Sequence, residues 1–373
     1  MDRYDNAKIS VRQFSILIMI GIIGDSILVL PTIVAASAKQ DAWLSMLLAL
    51  LLGLASGILF GAIANKLQGK SLITGAREKL GIWGGSFFGI LFLVEFYMCD
   101  LTLLSEMSQF MTTQMMPETP VNAIILFFIA VIIIAYRYGL EAFARMGELL
   151  FPIIMMLFVF LVVFLIPQAD TSNLLPIAGH GMGPIMNGIV PAFTFGFAEM
   201  VVLLMLVPHV VDNTKLTKPI LTSFVLGGTI LFLVVLFCVL VLGSNLMETK
   251  YYPTFVLAQK IQVGNFLERL EAIIAFLWII TVFYKTLLNY FALTTGIAQL
   301  LRLKESHMLT IPIGMILLVS AIVSTPNITV YNDILNNYYP WFDMSFCVGL
   351  PIVFLIMLFI AGKRKKDGKI NSI

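Results

Sequence analysis

A glycine and a carboxylate interrupt the first long apolar run of the chain, Gly21-Ile22-Ile23-Gly24-Asp25-Ser26-Ile27-Leu28-Val29-Leu30-Pro31. An apolar run of about 20 residues can cross a hydrocarbon core of roughly 30 Å as a helix. A break inside such a helix frees backbone N–H and C=O groups, which a membrane tolerates only where they line a cavity or meet a ligand. Gly24 and Asp25 therefore predict a broken helix with a polar surface at mid-membrane depth.

The composition indicates that the whole chain belongs in a membrane. Its 373 residues are 60% hydrophobic and only 12% charged, and the mean hydropathy is +0.98. Soluble proteins carry about 25% charged residues. These values exclude a soluble enzyme, a nucleic-acid-binding module and a disordered scaffold.

Ten apolar runs are long enough to cross a membrane, and they are continuous rather than alternating, which predicts an all-helical polytopic protein and excludes a barrel. The predicted spans are 11–34, 42–64, 84–110, 120–138, 147–166, 186–208, 217–243, 267–296, 309–325 and 340–361. Five plus five spans predict two repeats of inverted topology in a single membrane domain, with repeat one at 11–166 and repeat two at 186–361. A short tail, 1–10, precedes them, and a basic tail, 362–373, follows.

The distribution of Lys and Arg predicts the orientation, because cytoplasmic loops carry an excess of both. With the N-terminus inside, 18 of the 23 Lys and Arg residues fall on the cytoplasmic side. Four fall outside, namely Lys39, Lys250, Lys260 and Arg269, and Lys285 lies within the eighth span. Both termini are therefore expected to be cytoplasmic.

The sixth span carries a second interruption, Pro191-Ala192-Phe193-Thr194-Phe195-Gly196-Phe197-Ala198-Glu199. Interrupted spans at corresponding positions of two halves are the best sequence indication of a transporter-like binding site. For either span alone, glycines that only allow close helix packing account for the pattern equally well. Their coincidence in spans one and six favours a pair of functional breaks.

Lys285 is the most informative ionisable residue inside a span. A charge at that depth costs at least a few kcal/mol and needs a partner. We expect Lys285 to pair with a carboxylate, most favourably Asp25, with Asp100 and Glu199 as alternatives. The spacing leaves open whether Lys285 is a fixed internal cation or a group that contacts the ligand or carries a proton.

Polar residues also recur on one face of the third span. Glu95, Cys99 and Glu106 follow one another at intervals of 4 and 7, with Asp100 beside them, so this face is expected to point into the bundle. Glu106 and Asp343 lie near span ends and are expected to be solvated or interfacial. No cofactor or metal site is expected, because the three cysteines lie inside apolar runs and the histidines lie in loops.

Ordered motifs along nearly the whole chain carry a family resemblance: Gly24 to Pro31, Leu80-Gly81-Ile82-Trp83-Gly84-Gly85-Ser86, Gly181-Met182-Gly183-Pro184-Ile185-Met186-Asn187, and Arg269-Leu270-Glu271 with Trp278-Ile279-Ile280. With them the chain resembles the amino acid–polyamine–organocation transporter superfamily, and within it the B subunit of bacterial spore germinant receptors.

The resemblance implies a sensor of small polar nutrients rather than a bulk transporter, and the chain is not expected to be an enzyme. It implies two partners, an A subunit and a lipoprotein C subunit, in the spore inner membrane, and no nucleic acid. It also implies a pocket lined by spans one, three, six and eight. The candidate ligand-binding residues are Gly24, Asp25, Ser26, Cys99, Asp100, Phe195, Gly196, Phe197, Glu199, Tyr284, Lys285 and Asn289.

One departure from the family bears on the ligand. Many members have small or uncharged residues at the positions of Asp25 and Lys285, so their ligand should not be assumed for this chain. The alternative function is a transporter that moves an amino acid together with a proton. A lipid-processing enzyme lacks support, since no nucleophile–histidine pair falls inside a span.

Overall fold

The computed structural model describes residues 7–211, 215–260, 271–325 and 327–370, with side chains described up to residue 360. Most of the predicted N-terminal tail, the start of the eighth predicted span with Arg269 and Leu270, and the side chains of the basic tail lie outside this description. The described part is helical nearly throughout, and its one backbone bridge outside the helices joins Ile9 to Val210.

The described residues form fourteen α-helices, together with short 3₁₀ and π-helical segments. They are α1 (Val11–Ile23), α2 (Ser26–Ala38), α3 (Ala42–Leu67), α4 (Leu72–Phe110), α5 (Val121–Tyr138), α6 (Leu140–Leu165), α7 (Met182–Gly196), α8 (Thr217–Thr249), α9 (Pro253–Gln259), α10 (Glu271–Leu301), α11 (Thr310–Ser324), α12 (Ile328–Asn337), α13 (Tyr339–Asp343) and α14 (Leu350–Ile370).

These helices confirm the predicted ten crossings. Within the described residues, nine helical segments are long and apolar enough to span a membrane. One of them, Ser26–Leu67, has 42 residues. As one helix it would be about 63 Å long, roughly twice the hydrocarbon thickness. It turns back at Lys39, whose φ is +52°, so it supplies the second half of span one and all of span two. The shorter α1 supplies the first half of span one.

Span one is broken where the sequence predicts. Helix α1 ends at Ile23 and α2 begins at Ser26. Between them Gly24 has φ +25° and ψ −126°, a conformation that L side chains rarely adopt. The predicted break at Gly24 is therefore confirmed.

Span six breaks one residue later than predicted. Gly196 is still the last residue of α7, and the non-helical residue is Phe197, with φ −136° and ψ −39°. A 3₁₀ helix of eight residues follows, Ala198–Met205. Because 3₁₀ runs longer than 3–4 residues are uncommon and mark hinges or strain, this half of span six is unusual in its own right.

Side chains satisfy the carbonyl groups that the two breaks release. The Thr281 hydroxyl of α10 donates a hydrogen bond of 2.7 Å to the Gly24 carbonyl oxygen. The Ser26 hydroxyl donates one of 2.9 Å to the carbonyl oxygen of Phe195. The second bond joins span one directly to span six, so the two breaks are held face to face inside the bundle.

The helices that carry the breaks form the centre of the bundle. Helix α2 packs against α7, and α10 packs against both α1 and α4. Outer helices turn large apolar side chains away from this centre, as Trp83, Phe127 and Leu149 do. In a chain of this composition such side chains face lipid.

Candidate functional site

An ion cluster lies where the two breaks meet. The Lys285 ammonium of α10 pairs with the carboxylates of Asp25 and Glu199, one from each broken span. All three side chains are at most 2% exposed. We call Asp25, Glu199 and Lys285 the ionic centre. The predicted contact with Asp25 is confirmed, and Glu199, expected as an alternative, is a second partner.

Span three contributes to the same place. The Cys99 thiol of α4 donates a hydrogen bond of 3.7 Å to Glu199. Ser26 follows Asp25 and bonds to span six. The structure thus brings together six of the candidate residues, from spans one, three, six and eight: Gly24, Asp25, Ser26, Cys99, Glu199 and Lys285.

The two candidate glycines differ in what surrounds them. A Cβ atom on Gly24 would lie 2.6 Å from Lys285 Cδ and 2.7 Å from the Gly21 carbonyl oxygen. Only a residue without a side chain leaves room for the Lys285 side chain to pack this closely against the break. A Cβ atom on Gly196 would lie 3.4 Å from Leu231 Cδ1, an ordinary contact. Space therefore demands glycine at position 24 and not at position 196.

The side chain of Phe197 points away from the ionic centre. A Cβ atom on Gly53 of α3 would lie 2.5 Å from the ring of Phe197, and one on Gly228 of α8 would lie 2.6 Å from it. The ring centroid lies 5.8 Å from that of Phe224. Phe197 marks the break with its backbone, whereas its side chain fixes span six against spans two and seven.

Three other candidates stay outside the ion cluster. Tyr284 lies against Gly147 of α6, where a Cβ atom would be 3.2 Å from its ring. The Asn289 amide donates a hydrogen bond of 3.0 Å to the carbonyl oxygen of Lys285 on the same helix. Asp100 is fully buried, and its carboxylate has no hydrogen-bond partner among the described residues. Their role in ligand binding stays a prediction.

The expectation that Glu106 and Asp343 are solvated or interfacial is wrong. Glu106 is buried and accepts a hydrogen bond of 3.0 Å from the hydroxyl of Tyr331 in α12, a helix that covers this end of the bundle. Asp343 is also buried, because α13 packs against α7 of span six. For Glu106, the helical spacing with Glu95 and Cys99 indicates burial better than nearness to the span end does, since all three residues are inside the bundle.

A cavity of about 460 Å³ opens at the end of the bundle opposite the N-terminus, and we call it the distal cavity. Its lining includes Ser37, Asn187, Pro191, Asn336, Pro340 and Trp341. The rings of Phe195 and Tyr339 pack against each other with centroids 5.5 Å apart. Phe195 lies one turn beyond Pro191 toward Glu199, so this aromatic pair stands between the distal cavity and the ionic centre.

The site can exchange ionic partners. The ionic centre contains one ammonium and two carboxylates, all enclosed away from water. The carboxylate of a ligand can form an ion pair with Lys285, and the ammonium of a ligand can form one with Asp25 or Glu199. A small zwitterion matches this arrangement better than an apolar molecule does.

Comparison with known sequences gives a consistent result. The family model described as "Spore germination protein" matches residues 8–329. Spore germination protein KB of Bacillus subtilis (strain 168) is 27% identical over 369 residues, which cover 98% of both chains. Spore germination protein A2 of the same organism is 29% identical over 272 residues, covering 72% of this chain and 73% of its own.

Comparison with solved structures gives the fold. Mhp1, a nucleobase-cation-symport-1 family transporter in a closed conformation with bromovinylhydantoin bound, superposes with a TM-score of 0.66 at 14% identity, covering 95% of this chain and 78% of its own. MhsT in complex with L-phenylalanine gives a TM-score of 0.61 at 13% identity, covering 95% and 99%. The five-plus-five transporter fold predicted from the sequence is therefore confirmed.

Proposed function

The chain belongs to the spore germination protein family, and on this basis we propose that it is the membrane-embedded B subunit of a germinant receptor and binds a small polar nutrient, such as an amino acid, at the two helix breaks. The observation that carries the proposal is the ionic centre, in which Lys285 is bound by one carboxylate from each broken span. The similarity in fold to solved transporters that hold a small molecule supports a small molecule as the ligand.

Binding would replace internal ion pairs by ion pairs with the ligand. The ligand carboxylate would take the Lys285 ammonium, and the ligand ammonium would take Asp25 or Glu199. Such an exchange leaves the net charge of the buried site unchanged, so it avoids the cost of burying an extra charge. It also loosens the link between spans one, six and eight. A ligand shifts a conformational equilibrium through such a difference in contacts between two states.

The signal would pass to partner subunits. The family resemblance supports an A subunit and a lipoprotein C subunit as these partners, and the spore inner membrane as the location. A proton-coupled amino acid transporter is the competing function, and the transporter fold favours it. Vesicles that contain this chain alone separate the two functions: a sensor shows no gradient-driven accumulation of a radiolabelled amino acid, whereas a transporter shows saturable accumulation.

A ligand screen tests the proposed site. We expect one or a few amino acids to raise the unfolding temperature of the purified protein, whereas sugars and nucleosides leave it unchanged. A ligand that binds only the folded state at about 100 times its dissociation constant adds about 2.7 kcal/mol. Thermal unfolding in detergent measures the effect, with a Lys285→Met variant as the control that should not respond. If sugars or nucleosides stabilise the protein and no amino acid does, the amino acid class is wrong.

The predicted topology is tested by labelling. With both termini cytoplasmic, a cysteine at Asp170 is expected to react with an impermeant thiol reagent from outside, and one at Lys366 only after the membrane is opened. The native cysteines Cys99, Cys238 and Cys347 are all buried, so they can remain as an internal blank. Reaction of both new cysteines from the same side would contradict this topology.

A further inference from the structure

Three side chains that can bind a metal ion meet beside the ionic centre although they are far apart in sequence. They are Glu95 of α4, Asp343 at the end of α13 and Cys347 in the π-helical turn Met344–Gly349. One ligand atom from each lies within 4.8 Å of those of the other two. All three residues are buried, at 1% exposure for Glu95 and 0% for Asp343 and Cys347.

The carboxylates of this cluster lack a cationic partner within the described part of the chain. None of the four carboxylate oxygens of Glu95 and Asp343 has a hydrogen bond of normal geometry, and all four are shielded from solvent. The neighbouring ammonium of Lys285 is already bound by Asp25 and Glu199. Two adjacent buried carboxylates without a counter-charge are strongly unfavourable. The site therefore calls for added positive charge, either as protons or as a metal ion.

A second unsatisfied group lies at the same place. Tyr339 is only 6% exposed, and its hydroxyl has no hydrogen-bond partner among the described residues. Tyr339 precedes Asp343 by four residues in one helical turn, and the two side chains interact electrostatically. A water molecule bound to a metal ion in the cluster would give this hydroxyl a hydrogen-bond partner.

We propose that Glu95, Asp343 and Cys347 bind a divalent first-row transition-metal ion, with Zn²⁺ as the best match. The donor set decides the class of ion. Mg²⁺ and Ca²⁺ prefer sites made of oxygen alone, whereas Zn²⁺ accepts a cysteine sulfur together with carboxylate oxygens. The Cys347 thiolate and one carboxylate neutralise the ion, the second carboxyl group binds through its carbonyl oxygen as the neutral acid, and the displaced protons pass to the solvent.

The geometry needs only a small adjustment. Zn–O distances of about 2.1 Å and a Zn–S distance of about 2.3 Å in a tetrahedron place the ligand atoms roughly 3.5 Å apart. The ligand atoms now lie within 4.8 Å of one another, and movements of about 1 Å at each side chain would bring them to that separation. Cys347 sits in a π-helical turn, a local irregularity that is frequent at functional sites.

The cluster lies near the distal cavity and beside the ionic centre. Pro340 and Trp341, just before Asp343, line the distal cavity. Glu199 belongs to the ionic centre and also interacts with Asp343. A divalent ion held by Asp343 would therefore compete with Lys285 for Glu199. This coupling rests on the proposed function, whereas metal binding itself does not.

Cobalt provides a spectroscopic test on the purified full-length protein. After treatment with a chelator, we expect Co²⁺ to bind with a stoichiometry of one, to give a near-ultraviolet thiolate-to-cobalt band, and to be displaced by Zn²⁺. Cys347→Ser should lose that band, and Glu95→Gln or Asp343→Asn should weaken binding about tenfold or more. Cys238→Ser is the matched control, because Cys238 is equally buried in α8 but contacts Thr254 at 3.8 Å instead of the cluster.

A measurement on the unmodified protein covers the case in which a variant fails to fold. X-ray absorption of the zinc-loaded protein should show one sulfur at about 2.3 Å among oxygen ligands. Absence of bound metal, a first shell without sulfur, or a cobalt band that persists in Cys347→Ser would each overturn the proposal. None of these readouts involves the germinant, so the metal site and the proposed function fail or survive separately.

Discussion

Lys285→Met is expected to lower the free energy of unfolding by about 3–5 kcal/mol. The ammonium of Lys285 is the shared partner of the carboxylates of Asp25 and Glu199. Without it, two buried carboxylates face each other without compensation, and removal of one member of a buried ion set leaves an uncompensated charge. Equilibrium denaturation of the purified protein measures the loss.

The geometry also predicts how the losses of unfolding free energy rank among the remaining variants. Asp25→Asn should cost less than Lys285→Met, because Glu199 still holds the ammonium. The double variant Lys285→Met, Asp25→Asn should recover part of the loss, and the size of the recovery is the coupling between the two residues. Lys70→Met is the surface control: its pair with Glu78 is about half exposed, and such pairs contribute about 0–1 kcal/mol. Strictly additive losses for Lys285 and Asp25 would contradict their pairing.

Gly24→Ala is expected to abolish binding of the proposed amino acid ligand and to destabilise the protein by about 2–4 kcal/mol. Two effects add. Gly24 has a positive φ of +25°, and its Cβ atom would overlap Lys285 Cδ at 2.6 Å. To accommodate the methyl group, the Lys285 side chain must move away from the break. It then loses its ion pairs with the carboxylates of Asp25 and Glu199. Ligand-induced thermal stabilisation, compared with the unliganded variant, is the measurement.

Gly196→Ala is the matched control for that experiment. Gly196 stands at the other break, yet its φ is not positive and the added methyl group meets only Leu231 at 3.4 Å. This variant should fold and respond like the original protein. Equal loss of response in both variants would contradict this explanation, because only Gly24 provides space for the Lys285 side chain.

Much of the fold can be predicted from the sequence because hydrocarbon thickness sets the length of every span. The break at Gly24 is predictable as well, since a glycine beside a carboxylate deep in an apolar run is poorly suited to an uninterrupted helix. The second break lies at Phe197 and not at the predicted Gly196, because a 3₁₀ segment leaves no distinct pattern in an apolar sequence. Only the structure shows that helix α7 continues through its glycine.

The ion pairs are partly predictable from the sequence, whereas the proposed metal ligands are not. Depth in a span places Lys285 and Asp25 together, because each needs a partner of opposite charge. Glu95 and Cys347 are separated by about two thirds of the chain, so no spacing rule connects them. Asp343 follows a tryptophan near a span end, a position typical of the membrane surface. The packing of α13 against span six reverses that expectation.

The 3₁₀ segment Ala198–Met205 has a mechanical consequence. At about 2.0 Å per residue its eight residues extend about 16 Å, whereas the same residues in an α-helix would extend about 12 Å. The segment begins directly after the break at Phe197 and ends near His209, whose ring nitrogen contacts the carbonyl oxygen of Ala7 at 3.1 Å. Rewinding of these residues into an α-helix would shorten span six by about 4 Å. Such a change would move the ionic centre and the N-terminal end of the bundle by about that distance relative to each other.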